Sequence, residues 1–353
     1  MNIGFVGLGK LGLPCALAAE SAGHTVYGWD VSEDVRSYIK DRRLPYKEQD
    51  AHELLRTSSI PKLLIGPGHL EEACDLIFVA VQTPHQPEYE GITRLPDSRD
   101  DFNYEHLEEA LDSVSHAPCP VVVISTVLPG TMERLGVSEH VIYNPFFIAM
   151  GTTIPDFRNP EFVLVGTDMV RVDVLKDFYA TIHNAPLFVT TIKTAELTKV
   201  AYNTFIGLKI AFANTMMEIC EKTGADVDDL VDALSLAKDR IISPKYMRGG
   251  MGDGGGCHPR DNIALSWLAR ELDLSYDLFE ALMVCRERQT EWLVDLVENA
   301  QNESSEFKPI EIKGKAYKPG TNLTVGSPAL LMANLLQERN IIYEHTDLYV
   351  DRE

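Results

Sequence analysis

Short apolar runs alternate with longer mixed segments along the first half of the chain. NIGFV at the start, LIFVAV after Asp75 and VVVI after Pro120 are continuous apolar runs bounded by turn residues. Such runs are typical of parallel strands that are buried on both faces of a sheet. The pattern therefore predicts an α/β fold that begins with a doubly wound domain over residues 1–193.

The middle of the chain follows a helical period instead. From Thr194 to about Thr223, apolar or small residues recur every three or four positions, which predicts one long helix. They are Leu197, Val200, Ala201, Thr204, Leu208, Ala211, Phe212, Thr215 and Ile219. Similar patterns in DVDDLVDALSLA and between Arg260 and Gln301 extend this to an all-helical domain over residues 194–300. Because the apolar stripe is longer than one domain needs, we expect a homodimer through the central helices.

Charge and composition exclude several classes of partner. The 353 residues carry a formal net charge of −21, whereas nucleic acids and anionic membranes are bound by basic faces. No segment reaches the roughly 18 uninterrupted apolar residues of a membrane span. The apolar start lacks a basic region, so it is not expected to be a signal peptide. We expect a protein with neither a nucleic-acid nor a membrane partner.

Cysteine usage favours a reducing cytoplasm. The six cysteines are Cys15, Cys74, Cys119, Cys220, Cys257 and Cys285. They form no C-x-x-C or Cys/His pattern, so no metal site is expected. Free thiols in apolar segments pack as small hydrophobic side chains, and we expect that role for all of them except Cys257.

A glycine-rich turn follows the first predicted strand. Gly7, Gly9 and Gly12 have the G-x-G-x-x-G spacing, and Asp30 ends the next apolar run. Gly7 allows a tight turn, Gly9 lets the backbone approach a pyrophosphate, and Gly12 lets helix and strand pack closely. Asp30 is suited to accept hydrogen bonds from ribose hydroxyls and to repel a 2′-phosphate, which favours NAD over NADP. This is a Rossmann dinucleotide-binding motif. The turn also contains Lys10 and Leu11.

Loops after two further strands are expected to line the same crevice, because ligands of doubly wound sheets bind beyond the carboxyl ends of the strands. Thr83 and Pro84 follow one such strand, and Ser125 and Thr126 follow the next. Each is either a cofactor contact or an ordinary turn residue. The polar segment 86–105 is expected to be a surface excursion near the site.

Two residues of the predicted long helix, Lys199 and Asn203, lie four positions apart and therefore share one face. They are suited to converge on one ligand. The alternative is a solvated lysine beside a helix asparagine.

Cys257 lies in a glycine-rich loop, GMGDGGGCHPRDN, before a helix that is predicted to begin near Pro259. Unpaired amide groups and the helix dipole favour a thiolate there, and Arg260 adds positive charge. Asp261 is placed either to cap the helix or to accept a proton. The glycines allow the backbone to approach a substrate closely. We expect Cys257 to be a nucleophile, with a structural turn cysteine as the alternative.

Together these motifs resemble the UDP-glucose/GDP-mannose dehydrogenase family along nearly the whole chain. GFVGLGKLGLP is similar to the opening fingerprint of the family, FVAVQTP to its cofactor-loop strand, and ISTVLPGT to the segment with a catalytic threonine, here Thr126. KTAELTKVAYNTF resembles the helix with a catalytic lysine and asparagine, here Lys199 and Asn203. GGGCHPRD resembles the loop G-G-S-C-F-P-K-D, with Cys257 as the nucleophile and Asp261 as the carboxylate.

Further contacts follow from the same resemblance. Arg260 stands in the place of the loop lysine and is expected to contact the cofactor, and Arg240 resembles an arginine that reaches the substrate of the neighbouring subunit. GKAYKPGTNLTVGSPALLMANLL is similar to the start of a C-terminal, Rossmann-like nucleotide-sugar domain, here 301–353. The substrate contacts implied are Arg240, Tyr246, Gly254, Gly255, His258 and Lys318. For His258, a sugar contact and a plain loop position are equally open.

The resemblance implies oxidation of the C6 alcohol of a nucleotide sugar to a carboxylate with two NAD. Lys199, or a water held by Thr126 and Asp261, would remove the hydroxyl proton, and Cys257 would form a thiohemiacetal and then a thioester. Lys199 and Asn203 would stabilise the oxyanions at C6.

The chain departs from the family pattern in three places. NPFFIAMG has Phe146 and Met150 where the family has the two glutamates of N-P-E-F-L-x-E-G. Val325 and Gly326 precede the Ser-Pro of the last domain, where an arginine is usual. The sequence stops at Glu353, so the last domain is expected to be abbreviated.

Substrate and reaction type have open alternatives. Asn262 follows Asp261, where relatives that act on N-acetylhexosamines have proline, and this favours UDP-glucose or another sugar without an acetamido group. A dehydrogenase of the 3-hydroxyacid or 6-phosphogluconate type would transfer one hydride and need no thiol. A relative that binds NAD and a nucleotide sugar without turnover is the other alternative.

Overall fold

A computed structural model describes residues 1–84, 86, 94, 96–98, 100–168, 172–243, 257–304, 308–317 and 321–351. The chain divides into two compact units, Met1–Ile206 and Gly207–Glu353. In the described part of the chain, no helix is long and apolar enough to cross a membrane.

The first unit is built on one large sheet, which has seven strands within the described residues. They are β1 (Asn2–Val6), β2 (Thr25–Trp29), β3 (Leu76–Val79), β4 (Val121–Val123), β5 (Val141–Tyr143), β6 (Val163–Gly166) and β7 (Leu187–Thr190). Their order is β2-β1-β3-β4-β5-β6-β7, and all neighbours are parallel except β5 and β6. The predicted doubly wound domain is confirmed.

Helices connect these strands. They are α1 (Gly12–Ser21), α2 (Glu33–Lys40), α3 (Ala51–Thr57), a short 3-10 helix (Ile60–Lys62), α4 (Pro67–Ala73), α5 (Glu105–Asp112), α6 (Thr131–Arg134), α7 (Thr153–Arg158) and α8 (Asp173–Ala180). Helix α9 (Ile192–Thr223) follows β7 and contains the boundary between the two units. It begins two residues before the helix predicted from the apolar period.

Both faces of the sheet are packed with apolar side chains. On one face, the ring of Phe5 stacks on Phe78 with 5.0 Å between centroids, among side chains from α1 and α8. On the other face, Ile77 and Val79 pack against side chains that include Leu107 of α5. All four residues of β3 are buried, as the continuous apolar runs predict for parallel strands.

The strand order positions the site. From β1 the chain crosses to β2 on one side and later to β3 on the other, so the winding reverses between β1 and β3. Open parallel sheets bind ligands beyond the carboxyl ends of the strands at such a reversal. The loops after β1, β3, β4 and β5 all lie at this edge.

The second unit has a helical region followed by a β-α-β element, as predicted. Its elements after α9 are α10 (Val227–Ser235), α11 (Cys257–Glu271), α12 (Leu278–Glu303), β8 (Ile310–Lys313), α13 (Pro328–Glu338) and β9 (Tyr343–Thr346), with β8 and β9 parallel. Two small apolar clusters stabilise the second unit. One surrounds Met216 and Phe279, and the other surrounds Val294 and Leu336.

One expectation about the cysteines is wrong. Cys15, Cys74, Cys119 and Cys220 are buried as predicted, but Cys285 is exposed. Helix α12 buries only Phe279, Thr290 and Val294 among its described side chains, and Cys285 lies on a different face. An apolar run on a helix does not by itself say which face the tertiary structure covers.

Candidate active site

The glycine turn after β1 combines tight packing with open space. Gly7 has φ of +91°, and a Cβ there would lie 2.6 Å from the carbonyl oxygen of Ala80. A Cβ on Gly12 would lie 2.0 Å from the carbonyl oxygen of Gly7. A Cβ on Gly9 would have nothing within 4 Å. The turn thus leaves room at Gly9 beside the start of α1, where a dinucleotide pyrophosphate fits.

We expect alanine substitutions in this turn to separate folding from cofactor binding. Gly12→Ala forces a methyl group onto a backbone carbonyl and should lower the free energy of unfolding by about 1–3 kcal/mol. Gly9→Ala should leave the melting temperature unchanged and weaken NAD binding by about tenfold or more, because its methyl group enters the open space. Thermal unfolding and calorimetric titration with NAD measure the two effects. Equal NAD affinity of Gly9→Ala and wild type would contradict this assignment.

Asp30 stands at the end of β2 with 8% of its surface exposed. One carboxylate oxygen accepts a hydrogen bond from the backbone N–H of Leu8 at 2.7 Å, and the other accepts from Ser32 at 2.8 Å. A carboxylate has about four acceptor positions, so capacity for ribose hydroxyls remains. The carboxylate therefore places a negative charge beside the glycine turn. This charge would repel the 2′-phosphate of NADP, so the turn is suited to NAD.

Arg36 is a neighbour of Asp30 that sequence reasoning does not single out. Its Nη1 donates to the carbonyl oxygens of Asp30 at 2.5 Å and Val31 at 2.8 Å, and its guanidinium lies 4.8 Å from the ring centre of Trp29. No motif marks an arginine six residues after the acid. Its position is visible only in the fold.

The loops after β3 and β4 are joined by side-chain hydrogen bonds. The hydroxyl of Thr83 donates to the carbonyl oxygen of Thr126 at 2.7 Å, and that of Ser125 donates to the carbonyl oxygen of Val81 at 2.5 Å. The carbonyl oxygen of Pro84 accepts from the backbone N–H of Asn103 at 2.6 Å. Four of the sequence-predicted residues therefore lie together at the carboxyl edge of the sheet. In the glycine turn, Lys10 is exposed and Leu11 is half-buried.

Lys199 is buried on α9, with 8% of its surface exposed. Its Nζ donates to the carbonyl oxygen of Phe146 at 2.7 Å and lies 5.0 Å from the ring centre of Phe147. Burial lowers the pKa of this lysine from its ordinary value, because desolvation disfavours the charged form. A lysine of this kind is suited to proton transfer. Asn203, one turn further along α9, is exposed.

The loop after β5 contains the two positions that depart from the family pattern. The ring of Phe146 packs against Phe157 with 5.4 Å between centroids and against Phe78 with 6.4 Å. Met150 is 62% exposed. Neither position supplies a carboxylate, and Phe146 offers Lys199 only its backbone carbonyl.

Glu196 is a buried carboxylate that sequence reasoning missed. It is fully buried on α9 and accepts hydrogen bonds from the backbone N–H groups of Gly130 at 2.5 Å and Met132 at 2.8 Å. Lys193, Thr194, Thr198 and Lys199 surround it in the sequence, so no local pattern marks it as buried.

In the second unit, Cys257 is the first residue of α11 and is exposed. The helix thus begins two residues earlier than predicted. Asp261 is its fifth residue and does not cap it. The Nε of Arg260 instead binds a carboxylate oxygen of Asp261 at 2.8 Å, and this bond raises the pKa of Arg260. Cys257, Arg260 and Asp261 are all exposed.

Of the remaining predicted residues, two lie in the second unit and four lie outside the described residues. His258 is exposed in the first turn of α11, and Arg240 is exposed after α10. Tyr246, Gly254, Gly255 and Lys318 lie outside the described residues. Within the described ranges, no group of three or more His, Cys, Asp or Glu is arranged to hold a metal ion.

Comparisons with known proteins match most of the chain to one family. The family model for the NAD binding domain of the UDP-glucose/GDP-mannose dehydrogenase family matches residues 1–183, and that for the central domain matches 193–287. A UDP-glucose 6-dehydrogenase of Rickettsia bellii is 30% identical over 96% of this chain and 79% of its own length.

Two solved structures share the architecture. GDP-mannose dehydrogenase from Pseudomonas aeruginosa is 26% identical, with a TM-score of 0.86 over 98% of this chain and 80% of that one. A UDP-glucose dehydrogenase from Pyrobaculum islandicum is 27% identical, with a TM-score of 0.59 over 99% of this chain and 82% of that one.

Proposed function

Because the chain belongs to the UDP-glucose/GDP-mannose dehydrogenase family, we propose that it oxidises the C6 alcohol of UDP-glucose, or of a similar nucleotide sugar, to the uronic acid. The chain is an NAD-dependent oxidoreductase of the nucleotide-sugar dehydrogenase class. Oxidation of the alcohol to the acid removes four electrons in two steps. The observation that supports both steps is the exposed thiol of Cys257 at the start of α11. A single-hydride dehydrogenase needs no such group.

NAD would be held by the glycine turn, Asp30 and the linked loops with Thr83 and Ser125, and it supplies the hydride acceptor in both oxidations. In the first oxidation, neutral Lys199 removes the proton of the C6 hydroxyl as the alcohol becomes an aldehyde. Burial supports this role, since it makes the uncharged amine accessible at lower pH than for an exposed lysine. A water held by Thr126 and Asp261 is the alternative base.

Cys257 is the nucleophile of the proposed second oxidation. Its thiolate adds to the aldehyde carbon, forming a carbon–sulfur bond and an oxyanion that is protonated to a thiohemiacetal. This tetrahedral carbon gives up its hydrogen as hydride while its hydroxyl group loses a proton to a base, which leaves a thioester. Water then breaks the carbon–sulfur bond, releasing the uronic acid and the thiol. Lys199 and Asn203 are proposed as donors to the oxyanions at C6.

UDP-glucose is the proposed substrate for two reasons. Relatives along nearly the whole chain are named UDP-glucose 6-dehydrogenases. Asn262 after Asp261 favours a sugar without an acetamido group. The likeness to a GDP-mannose dehydrogenase makes GDP-mannose the first competitor in any assay.

The proposal is tested by counting NADH against sugar consumed. With UDP-glucose, GDP-mannose and N-acetylated UDP-hexosamines each run to completion, we expect two NADH per UDP-glucose and release of UDP-glucuronate. One NADH per sugar with free aldehyde would favour the single-hydride class. Binding by calorimetry without NADH from any sugar would favour the binding-only alternative.

Phe146 and Met150 support a second candidate function, in which the reaction stops at the thioester. Neither side chain is able to activate water, and the half-buried ring of Phe146 packs against the rings of Phe78 and Phe157. In that case each active site would form two NADH once, and the sugar would remain on Cys257. Mass spectrometry of the quenched protein distinguishes this single turnover from steady release of acid.

We further propose a homodimer through the central helices. Leu208 and Ile210 of α9 are 54% and 56% exposed, and Trp292 of α12 is 56% exposed, whereas the apolar clusters of the second unit are small. A second copy brings the same apolar faces and is the simplest partner able to cover them.

Light scattering should therefore give the mass of two chains for the wild type. Ile210→Glu should shift the protein toward the mass of one chain, because it places a charge in the proposed interface. Ser235→Glu, which adds the same charge at an exposed polar position of α10, should remain dimeric. A wild-type mass of one chain would contradict the proposal.

A further inference from the structure

Glu196 joins two elements of the first unit. It lies on α9, and its carboxylate binds the backbone N–H groups of Gly130 and Met132 at the start of α6. The side chain is fully buried, so these bonds are shielded from competing water. Hydrogen bonds to a buried carboxylate are stronger than neutral ones. The contact therefore holds α9 and α6 in one arrangement.

The segment that ends at this contact begins at the proposed cofactor loops. Residues 124–130 follow β4. Near the start, Ser125 donates to the carbonyl oxygen of Val81, and the carbonyl oxygen of Thr126 accepts from Thr83. At its end, Gly130 donates to Glu196. The segment that contains Thr126 is thus attached to β3's loop at one end and to α9 at the other.

On α9, Glu196 and Lys199 are three residues apart, which places them on neighbouring positions of one helix face. Lys199 in turn contacts the loop after β5 through the carbonyl oxygen of Phe146. One turn of α9 therefore connects the loop after β4 with the loop after β5. The spacing between Thr126 and Lys199 depends on this turn.

We propose that Glu196 is a positioning residue, which sets the place of the Thr126 segment relative to Lys199 and so supports the oxidation of the C6 alcohol. The inference rests on the proposed function, because it assigns Glu196 to the reaction in which Thr126 and Lys199 take part. The hydrogen bonds of the Glu196 carboxylate are to the backbone N–H groups of Gly130 and Met132.

A carboxylate is needed because both of its partners are donors. Glutamate offers an acceptor oxygen to each N–H group. Glutamine keeps the shape but has one acceptor oxygen and one NH₂ group, so one backbone N–H would face another donor. Glu196→Gln should release one end of the contact with little change in volume. Glu196→Asp keeps both acceptors on a shorter side chain and should restore part of the function.

Glu48 provides a matched control. It is also buried, and its carboxylate binds the backbone N–H groups of Gly151 at 2.9 Å and Thr153 at 2.7 Å, at the start of α7. Glu48→Gln therefore makes the same chemical change at another helix start of the same unit. If the melting temperature falls by a similar amount in both variants, a difference in kcat between them is not caused by a general loss of stability.

For Glu196→Gln we expect kcat to fall by about 10- to 100-fold, since small displacements of catalytic groups cost rates of this order. KM for NAD should change less than about threefold, and Glu48→Gln should keep kcat. In a Thr126→Ala background, Glu196→Gln should lower kcat by a much smaller factor, because the group it positions is gone. Equal factors in both backgrounds would overturn the proposal.

Hydrogen exchange provides a readout that needs no substrate. Glu196→Gln should speed amide exchange across residues 125–132, whereas Glu48→Gln should not. If the wild type forms no NADH from any sugar, the proposed function fails. Amide hydrogen exchange still tests whether Glu196 holds residues 125–132 in place. Unchanged exchange in Glu196→Gln would overturn the positioning role whatever the activity.

Discussion

Cys257→Ser is expected to abolish formation of the uronic acid, with a fall in turnover of at least about 10³-fold. A serine hydroxyl remains protonated near neutral pH and does not add to the aldehyde as a thiolate does. The first oxidation does not use the thiol, so a trace of NADH and aldehyde should persist. Rapid-quench measurement of NADH and uronic acid separates the two steps.

Cys285→Ser is the matched control for this experiment. Among the cysteines of the described residues, Cys257 and Cys285 are the exposed ones, so both substitutions replace a solvent-accessible thiol on a helix. Cys285→Ser should keep wild-type turnover. Full acid formation by Cys257→Ser would exclude a covalent route through this thiol.

Lys199→Met should lower kcat by about 10²- to 10⁴-fold, the range for loss of a general base. Methionine keeps most of the buried volume and removes the amine. Lys193→Met is the control on the same helix: Lys193 is exposed and forms a 2.6 Å ion pair with Glu133, whose hydrogen bond and charge raise its pKa. It should change kcat by less than about twofold. Comparable losses in both variants would contradict a specific role for Lys199.

The pH dependence of the wild type follows from the same lysine. A general base must be unprotonated, so kcat/KM should rise with pH as Lys199 loses its proton. Burial lowers the pKa of Lys199 below the ordinary lysine value of 10.5, and the rise should therefore be centred below that pH. Lys199→Met should lose this rise. A profile that is unchanged in the variant would assign the proton transfer to another group, such as the water at Thr126 and Asp261.

Local patterns were sufficient to predict the framework of this protein. The glycine spacing of Gly7, Gly9 and Gly12 predicts the turn because Gly7 adopts a positive φ and Gly12 lies against the carbonyl oxygen of Gly7, five residues earlier. Continuous apolar runs predict buried parallel strands, and the apolar period after Thr194 predicts α9 to within two residues. The family resemblance rests on the same local motifs.

Sequence reasoning was less successful wherever a residue's role depends on what packs against it. Asp261 was expected either to cap a helix or to accept a proton. Capping is wrong, because α11 begins at Cys257 and Asp261 pairs with Arg260. Cys285 was expected to be buried, but the face of α12 on which it lies is exposed. Helix periodicity defines faces, and only the tertiary structure selects which of them is covered.

The sequence by itself therefore determined the doubly wound sheet, the helical middle and the NAD-binding motif, because these depend on short-range geometry. The tertiary structure alone decided that Lys199 is desolvated, that its partner is the backbone of Phe146, and that Glu196 joins α9 to α6. These contacts join residues 53 to 66 positions apart. Such pairs meet only once the strands between them have folded into one sheet.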